Sequence, residues 1–173
     1  MSNKAYVARP EDGVAWITGG SSGIGASVAR RLATAGFTVA VTARREDALA
    51  ELAASVTGPG RIVPFPGDVT QAEGIEDIVA RVEADLGPIA LAILNAGVYL
   101  PVTGDALDRE TFDKTFDVNI RGTVNCLIPV ARRMQGHGRG QIAIVASVAG
   151  YFGLPTAAPY GASKAALINL AEA

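Results

Sequence analysis

The feature that most constrains this chain is a run of glycines set between a strand and a helix. The apolar stretch Gly13 to Thr18 runs straight into Gly19-Gly20-Ser21-Ser22-Gly23-Ile24-Gly25, and a helical pattern follows at once. Glycine at such a turn answers three demands. The chain must reverse tightly, its backbone must come close to a phosphate, and the helix must pack against the strand it has just left. The helix N-terminus then presents free N–H groups and a partial positive charge to an anion, and the hydroxyls of Ser21 and Ser22 add donors. The spacing G-x-x-x-G-x-G differs from the G-x-G-x-x-G dinucleotide fingerprint. Taken alone, the turn therefore reads equally as an ordinary glycine-rich loop and as a nucleotide cradle.

The rest of the chain repeats the alternation. Phe37 to Ala43, Ile62 to Phe65, Ile89 to Leu94 and Gln141 to Ala146 are short apolar runs without polar alternation, as expected of parallel strands covered on both faces. Between them lie helical periodicities. Ile24, Val28 and Leu32 recur every four residues, and Ile75, Ile78, Val79, Val82 and Leu86 make a wider stripe. Thr70 is expected to cap the latter helix, with Glu73 completing a capping box. Asp108 to Gln135 reads as one long helix with an irregular start, kinked or broken at Pro129. Thr156 to Ala173 begins a helix after Pro155. The predicted fold is α/β, a Rossmann-type doubly wound parallel sheet in a single domain over residues 1–173, with about five strands present.

Composition narrows the function classes. The 173 residues carry a formal net charge of −2, which gives no reason to expect a nucleic-acid partner. Met1 to Pro10 contains no apolar signal core, and no apolar run approaches a membrane span, so a soluble cytoplasmic protein is expected. The one cysteine, Cys126, excludes an internal disulfide and reads as a packed core residue. No cluster has metal-ligand spacing. The lone His137, between two glycines, reads as an exposed loop residue.

At the end of the second strand, Ala43 stands where an acidic residue would hold a ribose 2′-hydroxyl, and Arg44 and Arg45 follow. They read either as solvated residues at a helix start or as partners of a 2′-phosphate. Cations are poorly placed at the positive end of a helix dipole, which favours the anionic partner.

Taken in order, these residues resemble the classical short-chain dehydrogenase/reductase family. Thr18-Gly19…Gly23-Ile24-Gly25 is similar to that family's cofactor turn, and Asp68-Val69 to its adenine-contacting pair. Asn95-Ala96-Gly97 follows the fourth strand as its Asn-Ala-Gly signature does. Asn119 stands in Asp117-Val118-Asn119, Ser147 closes the fifth strand, and Tyr160 and Lys164 stand in Tyr-Gly-Ala-Ser-Lys. The resemblance runs from about Gly13 to the last residue. The family's following strand, substrate-covering loop and last strand, and its Pro-Gly motif, have no counterpart here, so the fold is expected to be C-terminally incomplete.

The resemblance implies a nicotinamide cofactor and a small carbonyl or alcohol substrate, and Ala43 followed by Arg44 favours NADP over NAD. Tyr160 and Lys164, four apart on a helix, share a face. A free tyrosine has a pKa of about 10, and a nearby ammonium favours the phenolate, so Tyr160 is expected to act as general acid or base. Lys164 is also expected to bind the nicotinamide ribose. Ser147 is expected to hydrogen-bond the substrate oxygen, and Asn119 to bend the long helix and hold a relay water. Each of these residues has an ordinary structural reading when taken singly. Tyr151, Phe152 and Leu154 are expected to flank the pocket. By the same resemblance, the helices at Asp108 to Gln135 and Thr156 to Ala173 pair with their copies in a homodimer or tetramer. Three alternatives stay open: an NADP-holding fragment without turnover, an epimerase or dehydratase of the extended branch of the superfamily, and a structural partner of a full-length subunit.

Overall fold

The computed structural model describes residues 6–173, so Met1 to Ala5, half of the stretch read for a signal core, lies outside the described residues. Five strands form one parallel sheet: β1 (Val14–Thr18), β2 (Thr38–Thr42), β3 (Arg61–Pro64), β4 (Ile89–Leu94) and β5 (Gln141–Ile144). Their order is β3-β2-β1-β4-β5. The chain crosses over between β3 and β4, so the carboxyl ends of β1 and β4 flank the switch point where ligands bind in sheets of this kind. Helices α1 (Gly23–Thr34), α2 (Glu46–Ala54), α3 (Ala72–Leu86), α4 (Arg109–Phe116), α5 (Gly122–His137) and α6 (Ala158–Glu172) complete the fold. Among the described residues no helix is long and apolar enough to cross a membrane.

Successive β1 residues point to opposite faces of the sheet, and all five are buried. Val14 and Trp16 join Ile75, Val79 and Val82 of α3 and Cys126 and Val130 of α5 in one core. Ala15 and Ile17 join Ala26, Ala29 and Ala33 of α1 and Leu49 and Leu52 of α2 in the other. This explains a continuous apolar strand without alternation. It also corrects the stripe read on α1. The face pressed on the sheet carries alanines, Val28 and Leu32 are only partly buried, and Ile24 is 64% exposed. Small residues let α1 lie close to the sheet, and Ile24 is left to face the cavity described below.

Trp16 is fully buried, and its indole N–H donates to the Thr42 hydroxyl across β1 and β2 at 2.9 Å. Thr42→Val keeps the shape and removes the acceptor. Leaving that donor unpaired is expected to lower stability by about 1–3 kcal/mol. Urea unfolding followed by Trp16 fluorescence checks this, and an unchanged midpoint would refute it. Burial also pushes the Cys126 thiol up to about 12, consistent with its reading as a core residue.

Several local expectations change. Thr70 does not cap α3. Its N–H and hydroxyl both donate to the Asp68 carboxylate at 2.9 Å, and Gln71 occupies the cap position without a side-chain bond. The nearer acceptor wins over the helix end. The long helix is not broken at Pro129, which is buried inside a continuous α5. The break lies at Asp117–Arg121, a π-helical turn that contains Asn119 and separates α4 from α5. A proline removes one donor, whereas at Asn119 a buried side chain is bonded sideways to two other segments. His137 is not a loop residue. It ends α5, and its Nε2 lies 3.0 Å from the Glu83 carboxylate of α3. The strand read to Ala146 ends at Ile144, with β5 at the sheet edge and Ala143 exposed.

Candidate functional site

The carboxyl ends of the strands open on a cavity of about 540 Å³, within the usual range of roughly 300–1,000 Å³ for small-molecule sites. At one end lie Gly19, Ser21, Ser22 and Ile24 of the glycine turn. Ala43, Arg44 and Arg45 after β2 follow, then Asp68 and Val69 after β3, and Asn95, Ala96 and Gly97 after β4. At the other end lie Tyr160 and Lys164 of α6. Residues distant in sequence thus meet around one space because each follows the carboxyl end of a parallel strand or faces it from a helix.

The turn is built as its glycines require. Gly19 and Gly23 have φ of 68° and 55°, a conformation L side chains rarely adopt. A side chain at Gly25 would run into the Gly19 carbonyl oxygen, so Gly25 serves the close approach of helix to turn. A Cβ at Gly23 would meet no protein atom within 4 Å. Neither Gly23 nor Gly25 lines the cavity. Ser22 caps α1 without a side-chain bond, and α1 has no acidic residue in its first turn. Its N-terminal N–H groups and the serine hydroxyls are therefore available to an anion.

Asn95 anchors the turn to β4. Its side-chain amide donates to the carbonyls of Thr18 and Gly19 at 3.0 and 3.2 Å. The Thr18 hydroxyl in turn accepts from the backbone N–H groups of Asn95 and Ala96. Thr18 is a positioning residue that its place in the Thr-Gly pair only half signalled.

Lys164 is 4% exposed, and its ammonium donates to the Val145 carbonyl at 2.7 Å. Burial lowers its pKa from the ordinary lysine value. Its Nζ also lies 5.6 Å from the centre of the Tyr160 ring. Gly97 closes on the same spot, since a Cβ there would lie 3.2 Å from Asn119 Oδ1 and 3.6 Å from Lys164 Nζ.

Asn119 is fully buried and does not line the cavity. Its Oδ1 accepts from Val98 N–H at 2.7 Å, and its Nδ2 donates to the Val98 carbonyl and to Ser163 Oγ. It ties the loop after β4 to α6 through the π-helical turn. Its backbone carbonyl accepts from the Thr123 hydroxyl. Ser147 also lies outside the lining, next to Ala146, which is in it. Its Oγ accepts from Ala149 N–H at 3.2 Å, so its hydroxyl proton stays free to donate elsewhere.

Further lining residues carried no sequence signal: Val98, Tyr99, Lys114, Val118 and Val145. Val98 and Val118 sit beside marked residues, Gly97 and Asn119. Lys114 adds a cation, so Arg44, Arg45, Lys114 and Lys164 face the cavity against the single acid Asp68. Tyr151, Phe152 and Leu154 do not flank this cavity. They are exposed and line a separate hollow of about 290 Å³ with Ala157, Ala158 and Gly161. They follow the short helical turn at Val148–Gly150.

Residues 13–173 match the family model described as short chain dehydrogenase. The chain is 35% identical over 159 residues to a 2,3-dihydro-2,3-dihydroxybenzoate dehydrogenase of Bacillus subtilis, covering 91% of this chain and 61% of that protein. It is 35% identical over 162 residues to the dehydrogenase/reductase SDR family member 4 of Bos taurus, covering 92% of this chain and 58% of that protein. The chain thus spans about three fifths of the length of these relatives. The crystal structure of a short-chain type dehydrogenase/reductase from Mycobacterium marinum superposes with a TM-score of 0.85 at 35% identity, over 90% of this chain and 65% of that one. The fold, the order of the strands and the family match agree, and the chain belongs to the short-chain dehydrogenase/reductase family.

Proposed function

We propose that this chain supplies the cofactor-binding and acid–base parts of an NADP-dependent oxidoreductase acting on a small ketone, aldehyde or alcohol. One observation carries the reading: a buried lysine and a cavity-facing tyrosine on α6 share a single cavity with the glycine turn. The relatives named above are a dehydrogenase and a dehydrogenase/reductase, which supports the same reaction class.

The residues fit a dinucleotide. The pyrophosphate would lie at the N-terminus of α1, against Ser21 and Ser22, with room left where Gly23 has no side chain. Asp68 and Val69 would take the adenine end, and Asn95 to Gly97 would line the middle. Arg44, with Arg45, would pair with the 2′-phosphate. Neither takes part in the ion pairs found among the described residues. When bound, the nicotinamide supplies or accepts the hydride.

The protein moves the proton and steadies the charge. Tyr160 donates its phenolic proton to the carbonyl oxygen, or withdraws one from the alcohol in the reverse direction. The Lys164 ammonium lies 5.6 Å from the centre of the phenol ring. It is held by the Val145 carbonyl, one residue past the end of β5. Ser147, whose Oγ accepts from Ala149 N–H, keeps its O–H free to donate to the developing negative charge. Asn119 holds the loop after β4 and α6 in register.

Cofactor choice is directly testable. Arg44→Glu is expected to weaken NADP binding about 10- to 100-fold, the loss of one charge-assisted contact. NAD affinity should change far less. Fluorescence titration with NADPH and NADH checks this, and equal affinities in the unaltered protein would sink the NADP assignment.

A further inference from the structure

Among the described residues no hydrogen bond holds the Tyr160 hydroxyl; only the residue's backbone carbonyl is bonded, by Ser163. The aim of the phenol has to come from contacts to the ring. The Tyr160 ring meets the Lys164 ammonium, and it meets Tyr99 edge-to-face, with ring centres 5.2 Å apart and planes at 70°. Edge-to-face pairs of this geometry are favourable and directional, because the positive edge of one ring meets the negative face of the other.

Tyr99 is itself well placed to hold another group. It lines the cavity beside Tyr160. The residue before it, Val98, is clamped at both backbone groups by the buried Asn119. Three residues on, Val102 donates its N–H to the Thr156 carbonyl at 2.9 Å and bridges Ala157. The Tyr99 hydroxyl meets the Thr156 hydroxyl at 2.8 Å. Thr156 has φ of 65°, the one non-glycine residue in that region among the described residues. A β-branched residue persists there only when its surroundings hold it. It stands two residues before α6, whose third residue is Tyr160. The segment 98–102 therefore grips the entry to α6 and the face of its phenol at the same time.

We propose that Tyr99 is a positioning residue for the reaction, its ring holding the Tyr160 phenol toward the cavity. The proposal rests on Tyr160 being the proton donor. Tyr99→Leu removes the aromatic contact, whereas Tyr99→Phe keeps it and removes only the hydroxyl. The Val102–Thr156 backbone bond survives in both variants, so the start of α6 stays fixed and the ring contact is what the comparison isolates.

The full chain is labelled with 3-fluorotyrosine, and the Tyr160 signal is assigned by its loss in Tyr160→Phe. In the fluorine NMR spectrum, Tyr99→Leu is expected to move and broaden the Tyr160 resonance, while Tyr99→Phe leaves it sharp. In NADPH oxidation with a panel of ketones, Tyr99→Leu is expected to lower kcat about tenfold or more with the NADPH KM within about twofold, as for a reacting group displaced by a fraction of its contact distance. Tyr99→Phe should restore at least about half of kcat by the same argument. An unmoved Tyr160 resonance in Tyr99→Leu overturns the proposal whatever the turnover. So does a normal kcat in Tyr99→Leu, or an equal defect in Tyr99→Phe. Full turnover in Tyr160→Phe, or none in the unaltered chain, would instead remove the underlying reading of the site, and the proposal with it.

Discussion

Tyr160→Phe is expected to remove most of the turnover, about 10²- to 10⁴-fold, while NADP affinity stays within about twofold. The two effects separate because the variant keeps the ring, and with it the contacts to Tyr99 and Lys164. It takes away only the exchangeable proton. Lys164→Ala should act differently. It removes the buried ammonium and its bond to the Val145 carbonyl, so both turnover and cofactor affinity should fall. NADPH oxidation with a ketone panel reads the first quantity, and quenching or enhancement of NADPH fluorescence reads the second. Near-normal rates for Tyr160→Phe would show that the proton comes from another group. A loss in Lys164→Ala confined to turnover would remove the lysine from the ribose.

The other large effect is expected at Gly25. A Cβ there would strike the Gly19 carbonyl oxygen and lie 2.6 Å from Asn95 Nδ2, which is already bonded to Thr18 and Gly19. Backbone cannot yield as a flexible side-chain tip can. Gly25→Val must therefore push α1 away from β1 and β4 or break the Asn95 bonds. Either way it should cost about 2–4 kcal/mol of stability and abolish tight NADP binding. Gly23→Ala is the contrast. Its Cβ meets open space, so the cost is the left-handed backbone alone, about 1–2 kcal/mol. Urea melts of the two variants distinguish them. Equal destabilisation would mean that the turn is limited by backbone conformation and not by close packing.

Both predictions rest on motifs that are plain in the chain, and the reason is local. A strand, a glycine turn and a helix in succession have few ways to fold, so Gly19 to Gly25 announced a tight β–α connection from spacing alone. Tyr160 and Lys164, four apart on a helix, had to share a face. Five apolar runs separated by helices implied the parallel sheet, and β3-β2-β1-β4-β5 is the order found.

What failed were choices between competing partners, some near in the chain and some far apart. Thr70 could cap α3 or bond Asp68, and the distance to the carboxylate decided. Pro129 was the obvious breaker of the long helix. The irregularity lies at Asn119, where the family resemblance put a bend, and the bonds to Val98 and Ser163 that hold it form only once the loop after β4 meets α6. Tyr151, Phe152 and Leu154 belonged to the expected pocket by proximity to Ser147, yet they follow a short turn and line another hollow. Ile24 sat in the α1 stripe by period, yet alanines take the buried face and leave it at the cavity.

The sequence by itself thus signalled the parallel sheet, the tight glycine turn between β1 and α1 and the shared face of Tyr160 and Lys164, because each follows from short-range geometry or from the alternation of apolar runs. Only the tertiary structure decided that Tyr99 meets Tyr160, that Lys114 joins the arginines around the cavity, and that Asn119 acts as a strut. Those contacts join segments tens of residues apart, and no local period or spacing records which of many polar and aromatic residues the folded sheet will bring within reach.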